Sequence, residues 1–183
     1  MSDLLDDGQK KYLLALAREA ITAKLVDRKA VKAATEDTLL RGKRGAFVTL
    51  NIHGRLRGCI GYPLPVKPLA ETVAEMAVAA ATQDYRFHPV EASELRDLTI
   101  EISVLTLPRR VPDPHDIVVG KHGIIISKGT RRGLLLPQVP LEYGWDLETY
   151  LRHGCLKAGL PDNEWKKGVE IEVFEAQVFG EES

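Results

Sequence analysis

Residues 46–61 constrain the fold most, because they read as two strands joined by a tight turn. A strand-like run, AFVTLNI, ends at His53-Gly54, and the sequence LRGCIG begins one residue after that pair. Short strands on either side of a glycine-containing turn are typical of a β-hairpin. The second strand carries a cationic side chain, a thiol and two glycines, so this hairpin is also the first place to look for a functional site.

The register of the hairpin decides which side chains share a face, because the side chains of a strand alternate. A two-residue loop would mix apolar with charged side chains on one face. A three-residue loop at residues 52–54, with its glycine in the left-handed conformation, pairs Leu50 with Leu56 and makes one face uniformly apolar. This register predicts that Arg57 and Cys59 point the same way, away from the main core.

Outside this hairpin, the patterns of apolar residues predict helices and further short strands. Helical spacing predicts helices at residues 9–25, 69–81, 91–95 and 147–158. Apolar alternation or apolar runs predict strands at residues 98–107, 123–127, 132–136 and 169–179. The strands at 123–127 and 132–136 are joined by residues 128–131 and are predicted to form a second hairpin. In the last strand, the alternation of inward-facing residues is interrupted between Val173 and Phe174, which indicates a bulge. Since hairpins dominate, we predict an α+β fold, with a mainly antiparallel sheet flanked by helices.

The composition favours a single compact domain covering residues 1–183, since 44% of the residues are hydrophobic and 28% are charged. A formal net charge of -1 provides no overall attraction to nucleic acid or to an acidic membrane. Two cysteines are too few for the disulfide framework of a small secreted protein. The first residues lack the order of a signal peptide, and no apolar run approaches the roughly 18 residues of a membrane span. We therefore predict a cytoplasmic protein.

The chain resembles the AMMECR domain family, which in prokaryotes is called protein A of the AmmeMemoRadiSam system. The resemblance is centred on LRGCIG and covers residues 13–179, nearly the whole chain. Further motifs follow in the same order, namely RF at 86–87, EISVL at 101–105, RG at 132–133, LPQV at 136–139, GWD at 144–146 and CLKAGLP at 155–161. Several motifs in one order are far more specific than the hexapeptide alone.

The resemblance implies an α+β fold with a larger and a smaller lobe, and it places the hexapeptide near a cleft between them. It also implies an association with a Memo-type protein, which is similar to non-haem iron dioxygenases, and with a radical SAM protein. Such an association suggests a shared pathway but does not define a reaction. Whether the protein is an enzyme therefore stays open.

Cys59 is the candidate catalytic residue. A thiol beside Arg57 and near a tight glycine turn can act as a nucleophile or a redox group, because the thiolate is the reactive species. The alternative is that Cys59 only fills space beneath a sheet, since cysteine is among the most buried residue types. A nucleophile also needs a base, and no histidine lies at a diagnostic spacing.

The predicted ligand-binding residues are two arginines, two glycines, a glutamate and a glutamine: Arg57, Arg86, Gly58, Gly61, Glu101 and Gln138. Arg57 offers a planar fork of donors for a carboxylate or phosphate, or else forms a structural ion pair with a carboxylate such as Glu101. Arg86 either joins an anion pocket with Arg57 or pins its own loop through a salt bridge. The glycines permit a ligand to approach the backbone or relieve crowding at the strand end, and both roles are compatible. The amide of Gln138 would line the cleft.

Metal and nucleic-acid binding have weaker support. His153 and Cys155 are two residues apart on a predicted helix and so face different directions, and no further cluster supplies a tetrahedral set of ligands. We predict no metal ion and no cofactor, and we interpret Cys155 as a core residue. The basic runs at residues 41–44 and 128–132 lack interleaved aromatic residues, so solvated loops are the better interpretation.

These observations predict a pocket built around Arg57, Cys59 and Arg86 that binds a small anionic ligand or a modified residue. Memo-type and radical SAM proteins are the predicted partners. The alternative is a non-catalytic adaptor that uses the same surface to bind another protein, and nucleic-acid binding is the third hypothesis.

Overall fold

The structure is a computed structural model that describes residues 4–182. These residues form two compact units, the first made of residues 4–105 and 177–182 and the second of residues 106–176. Each unit has its own four-stranded sheet and its own buried core. The α+β fold class predicted from the sequence is confirmed, with two sheets in place of one.

The elements follow one another in a mixed order along the chain. The α-helices are α1 (Asp7–Thr22), α2 (Thr38–Arg41), α3 (Leu69–Thr82), α4 (Val139–Tyr143) and α5 (Leu147–Lys157). The strands are β1 (Ala46–Ile52), β2 (Arg55–Tyr62), β3 (Leu98–Leu105), β4 (Arg109–Arg110), β5 (Gly123–Lys128), β6 (Arg131–Leu135), β7 (Glu170–Phe174) and β8 (Ala176–Gly180). The strand order is β2-β1-β3-β8 in the first unit and β4-β7-β5-β6 in the second.

The first unit buries one face of its sheet against α1 and α3. Val48 and Leu50 of β1 and Ile100 and Ile102 of β3 are buried on this face, in the alternation that a sheet with one covered face requires. Helix α3 consists largely of small buried residues, which lets its backbone approach the sheet closely. The core of this unit is therefore a layer of aliphatic side chains between the sheet and two helices.

Helix α1 begins at a capping box formed by Asp6 and Gln9. The Asp6 carboxylate accepts the Gln9 backbone N–H at 2.8 Å, and the Gln9 side chain accepts the Asp6 N–H at 2.9 Å. The regular helix ends at Thr22, and a π-helix, Ala23–Asp27, continues it. The π-helix ends at Arg28, whose φ of 58° is left-handed.

The β1–β2 hairpin has a different register from the one predicted. Its loop is the two-residue turn His53-Gly54, with φ values of 50° and 73°, so Leu50 pairs with Gly58 and not with Leu56. The register shifts after Leu50, because Arg57 is an extra residue in β2. This β-bulge leaves Leu56 42% exposed, whereas Gly58 and Ile60 stay on the core face. The predicted register was wrong because it considered only regular pairing.

The second unit packs α5 against β5 and β6. Tyr150 of α5 is fully buried, and its hydroxyl donates to the carbonyl oxygen of His122 at 3.1 Å. Asp146 caps α5 by accepting the Thr149 N–H at 2.8 Å. Strands β5 and β6 form the predicted second hairpin.

The chain changes sheet within the segment predicted as one strand at residues 169–179. Strand β7 belongs to the second unit, β8 belongs to the first, and Glu175 separates them. The predicted bulge between Val173 and Phe174 is therefore wrong, because the change of phase marks the passage from one sheet to the other.

Helices in the described part of the chain are too short or too polar to cross a membrane. The longest regular helix, α1, has 16 residues, fewer than the roughly 20 that span a bilayer.

Candidate functional site

Arg57, the extra residue of the bulge, is held by groups that follow α3 in the chain. Its Nε and Nη2 donate to the two Glu94 carboxylate oxygens at 2.8 and 3.0 Å, and its Nη1 donates to the His88 carbonyl oxygen at 2.8 Å. The bonds from Arg57 hold the pKa of Glu94 below its usual range, and the Glu91 N–H assists. Arg57 thus forms a structural ion pair with Glu94, whereas the sequence had suggested Glu101.

Asp84 and Arg86 form a second ion pair, at the free edge of β2. Arg86 Nε and Nη2 donate to the two Asp84 carboxylate oxygens at 3.0 and 2.7 Å. The Asp84 side chain is 2% exposed, and it also accepts the backbone N–H of Cys59 at 2.9 Å. Arg86 Nη2 lies 3.4 Å from the Cys59 carbonyl oxygen. The two side chains therefore occupy the place of a neighbouring strand, with an acceptor for the Cys59 N–H and a donor for its carbonyl.

The ionised forms of both side chains in this pair are favoured in the folded protein. The hydrogen bonds from Arg86 hold the pKa of Asp84 far below its usual range, and the N–H groups of Cys59 and Arg86 act in the same direction against the cost of burial. Asp84 in turn raises the pKa of Arg86. Arg86 therefore pins its own loop, which is one of the two roles that the sequence allowed for it.

The Cys59 thiol lies on the face of the sheet opposite the core. Thr49 of β1 pairs with Cys59 of β2 on one side and with Glu101 of β3 on the other, so the three residues form one row across the sheet. The Thr49 hydroxyl donates to Cys59 Sγ at 3.2 Å, and the cysteine is half-buried. Within residues 4–182, this hydroxyl is the one side-chain partner of the thiol, so no histidine or lysine is placed as its base.

The glycines of LRGCIG provide space for neighbouring groups in the first unit. A Cβ atom on Gly58 would lie 2.2 Å from the carbonyl oxygen of Ala80 in α3. A Cβ atom on Gly61 would lie 2.4 Å from the ring of Phe47, its partner in β1. The two glycines thus relieve crowding on opposite faces of β2.

A pocket of about 400 Å³ lies beside the two ion pairs, and it is lined by Arg57, Tyr85, Arg86, Phe87 and His88. Tyr85 is 95% exposed, and the Arg86 guanidinium lies 5.5 Å from the centre of the Phe87 ring. The N–H groups of Arg86 Nη1 have no hydrogen-bond partner in the described part of the chain. We name this feature the arginine pocket.

The structure brings Arg57 and Arg86 together at the arginine pocket, and the other predicted site residues do not line it. Cys59 does not line the pocket, although its carbonyl oxygen faces Arg86. Glu101 is exposed on β3, and Gln138 is exposed at the start of α4 in the second unit.

Five residues at this site were not among the predicted site residues: Asp84, Tyr85, Phe87, His88 and Glu94. Asp84 carried a local signal, since an acid two residues before Arg86 is a common ion-pair spacing in a loop. Tyr85 carried none, because a lone tyrosine gives no sign of its exposure. Glu94 lies 37 residues after Arg57, so no short-range pattern connects the pair.

Among residues 4–182, three of the six basic side chains in the two basic runs pair with carboxylates. Arg41 lies 3.3 Å from Glu36, Arg132 lies 3.4 Å from Glu172, and Lys128 pairs with Glu164. Arg44 is 4% exposed, so the prediction of a solvated loop is wrong for this residue. These pairings weaken the case for a basic surface that binds nucleic acid.

Cys155 is a core residue of the second unit, as predicted. It is fully buried, and burial raises the pKa of its thiol. Among residues 4–182, no group of three or more histidine, cysteine, aspartate or glutamate side chains is arranged to hold a metal ion.

The different burial of the two thiols predicts selective alkylation. In the folded protein, iodoacetamide is expected to modify Cys59 and to leave Cys155 unmodified, because Cys155 is inaccessible and its thiolate is disfavoured. Peptide mass spectrometry before and after denaturation in urea measures this, with Cys59→Ser as the control that takes up no label while folded. Equal labelling of both thiols in the folded protein would contradict the burial described here.

These features define an α+β protein in which two arginine–carboxylate pairs support a surface pocket. The model of the AMMECR1 family matches residues 14–179. The chain therefore belongs to the AMMECR1 family, which confirms the resemblance drawn from its motifs.

Similar proteins occur in several archaea. Protein MK0488 of Methanopyrus kandleri is 48% identical over 188 residues, covering 97% of this chain and 90% of that protein. Protein MJ0810 of Methanocaldococcus jannaschii is 45% identical over 186 residues, covering 97% and 91%. The crystal structure of the uncharacterized protein PH0010 from Pyrococcus horikoshii matches with a TM-score of 0.78 at 40% identity, covering 97% of this chain and 94% of that one. These names give no activity, so function has to be argued from the site.

Proposed function

We propose that the protein is a binding module whose arginine pocket takes a small anionic ligand or the anionic side chain of a modified residue. The observation that carries this proposal is the convergence of two guanidinium groups, those of Arg57 and Arg86, on one pocket. Guanidinium groups match the geometry of carboxylate and phosphate oxygens. Each is fixed by a carboxylate, so the pocket is formed before a ligand arrives and little ordering is needed on binding.

The same ion pairs limit the affinity for an anion. Glu94 and Asp84 offset most of the positive charge, so the N–H groups of Arg86 Nη1 are the main donors left for a ligand. The rings of Tyr85 and Phe87 add apolar surface beside them. We expect a dissociation constant on the order of 1 mM for a simple inorganic anion and tighter binding for a ligand that also contacts the rings.

Cys59 is the group that would supply covalent chemistry next to this pocket. Its thiol has a hydroxyl partner, and no base contacts it in the described residues. The geometry therefore supports binding better than catalysis. In the pathway that the family resemblance implies, the ligand or modified residue would be shared with a Memo-type protein and a radical SAM protein.

Inorganic phosphate is the probe that tests the anion site. In a titration followed by ¹⁵N NMR, phosphate is expected to shift the amide signals of residues 85–88 in a saturable way. Arg86→Lys is expected to weaken binding about tenfold, because an ammonium group cannot replace the guanidinium fork. Arg152→Lys is the matched control, since Arg152 also binds an aspartate, Asp162, through Nε and Nη2 but does not line the pocket. Shifts spread over the whole surface, or equal effects of the two variants, would count against the proposal.

A second candidate function is that of a protein–protein adaptor, and the exposure of Tyr85 favours it. Tyrosine and arginine are enriched among residues that dominate interfaces, and Tyr85 is 95% exposed on a loop fixed by two ion pairs. An adaptor predicts that Tyr85→Ala and Arg57→Ala weaken capture of a purified Memo-type partner while Cys59→Ser has no effect. Tyr85→Ala should leave phosphate binding unchanged, which separates the two functions.

A further inference from the structure

A larger pocket, of about 860 Å³, lies in the first unit between the end of α1, the coil that follows it, β2 and α3. This volume is within the range of sites that bind drug-sized ligands. It shares no lining residue with the arginine pocket. We name it the lysine pocket, after the residues on its rim.

Apolar side chains form the floor of the lysine pocket. Ala20 of α1 and Ala74 and Ala79 of α3 are buried there, and Ile60 and Val78 add larger, partly buried surface. Small residues on two facing helices leave the space between them open. The floor is therefore suited to the apolar body of a ligand.

The coil that forms the outer wall is anchored at two points. The Lys29 N–H donates to the Ala23 carbonyl oxygen at 3.0 Å, and the Tyr12 hydroxyl donates to the Ala34 carbonyl oxygen at 2.8 Å. These bonds tie both ends of the wall to α1 and its extension. The pocket consequently has a fixed wall without a ligand.

The rim of the lysine pocket carries more positive than negative charge. Its lysines are Lys24, Lys29 and Lys32, all exposed, and none forms an ion pair with a carboxylate within residues 4–182. Two glutamates also line the pocket. Glu75 is already paired with Lys67 and accepts the Tyr62 hydroxyl at 2.8 Å, which leaves Glu71 as the opposing charge.

The π-helix at the rim is a second, independent indication of a binding site. It carries Lys24, and it ends at the left-handed residue Arg28 just before Lys29. π-Helical turns are rare, and they are frequently found at functional sites. Here the π-helical turn places two of the lysines at the pocket.

From this combination we propose that the lysine pocket binds a small amphipathic anion, with an apolar body on the alanine floor and one carboxylate or phosphate group at the lysines. An apolar interior with a few charged groups at one end fixes both the position and the orientation of such a ligand. The site is separate from the arginine pocket, so it stands or falls independently of the function proposed there.

Octanoate, octyl phosphate and 1-octanol test this site by isothermal titration calorimetry. Octanoate or octyl phosphate is expected to bind at one site, and 1-octanol about tenfold more weakly, because it lacks the charge. The variant Lys29→Glu/Lys32→Glu should weaken binding of the anion about tenfold. Its control is Lys11→Glu/Lys157→Glu, which changes the net charge equally at exposed positions that do not line the pocket. A preference between the carboxylate and the phosphate identifies the head group.

A variant that fills the pocket provides a test that does not depend on charge. Val78→Phe extends a partly buried pocket residue and should abolish binding of all three probes, with the melting temperature measured to verify folding. Equal affinity for octanoate and 1-octanol would overturn the proposal. So would the absence of anion binding to the unmodified protein at millimolar concentration, or an equal loss in the control variant.

Discussion

Gly58→Ala is expected to lower the free energy of unfolding by about 3 kcal/mol, because a side chain at this position overlaps a helix backbone. The new Cβ atom would lie 2.2 Å from the carbonyl oxygen of Ala80 and 3.1 Å from its carbonyl carbon. A backbone carbonyl in a buried helix cannot rotate away as a flexible side chain can. Either α3 or β2 must move, and both belong to the core of the first unit. Urea denaturation followed by far-UV circular dichroism measures the change.

Gly54→Asn is the matched control for this prediction, since Gly54 lies in the same hairpin. Nothing lies within 4 Å of a Cβ atom there, and asparagine tolerates the left-handed φ of 73° better than other residues. The expected loss is below about 1 kcal/mol. An unchanged unfolding midpoint in Gly58→Ala would remove the packing role and return Gly58 to the role of admitting a ligand.

Gly58 also shows why the hairpin was only partly predictable. Local alternation identified the two strands and their turn, because alternation depends on residues that are neighbours in sequence. The bulge at Arg57 depends on what lies across the strand: Leu50 in β1 and the backbone of α3. The prediction assumed regular pairing of the two strands. It gave the wrong register, because the sequence pattern of the hairpin contains no information about α3.

The same distinction between local and distant information applies to the site. Helix α3 and the β5–β6 hairpin were predicted from patterns shorter than 15 residues, and the structure confirms them. The ion-pair partner of Arg57 could not be predicted from a local pattern. Glu94 contacts Arg57 only because the helix and loop between them fold back in the structure. The sequence shows a break in the alternation of inward-facing residues at residue 173. A bulge and a passage of the chain between two sheets both produce such a break. Motifs could therefore identify the family and the arginines, while their contacts required the structure.

Asp84→Asn is expected to lower the free energy of unfolding at pH 7 by about 2 to 3 kcal/mol, even though the shape of the side chain is retained. The buried Asp84 carboxylate accepts bonds from Arg86 and from the Cys59 N–H, and an amide group cannot satisfy all of these donors. Arg86 is 45% exposed, so water compensates part of the loss and the effect stays below that of a fully buried pair. Urea denaturation at several pH values measures the difference between the two proteins.

The pH dependence of the difference in unfolding free energy between the unmodified protein and Asp84→Asn shows whether ionisation of Asp84 causes it. Arg86 holds the pKa of Asp84 in the folded protein below the value of about 3.9 in the unfolded chain. The carboxylate therefore contributes its full stabilisation above about pH 4, and this contribution is lost as the pH falls toward the folded pKa. The unmodified protein and Asp84→Asn should converge in stability below pH 4, whereas Asp162→Asn, which breaks an exposed aspartate–arginine pair, should change little at any pH. A difference that stayed constant with pH would mean that ionisation of Asp84 does not stabilise the fold, and the stabilising role of the Asp84 carboxylate at the Cys59 N–H would have to be abandoned.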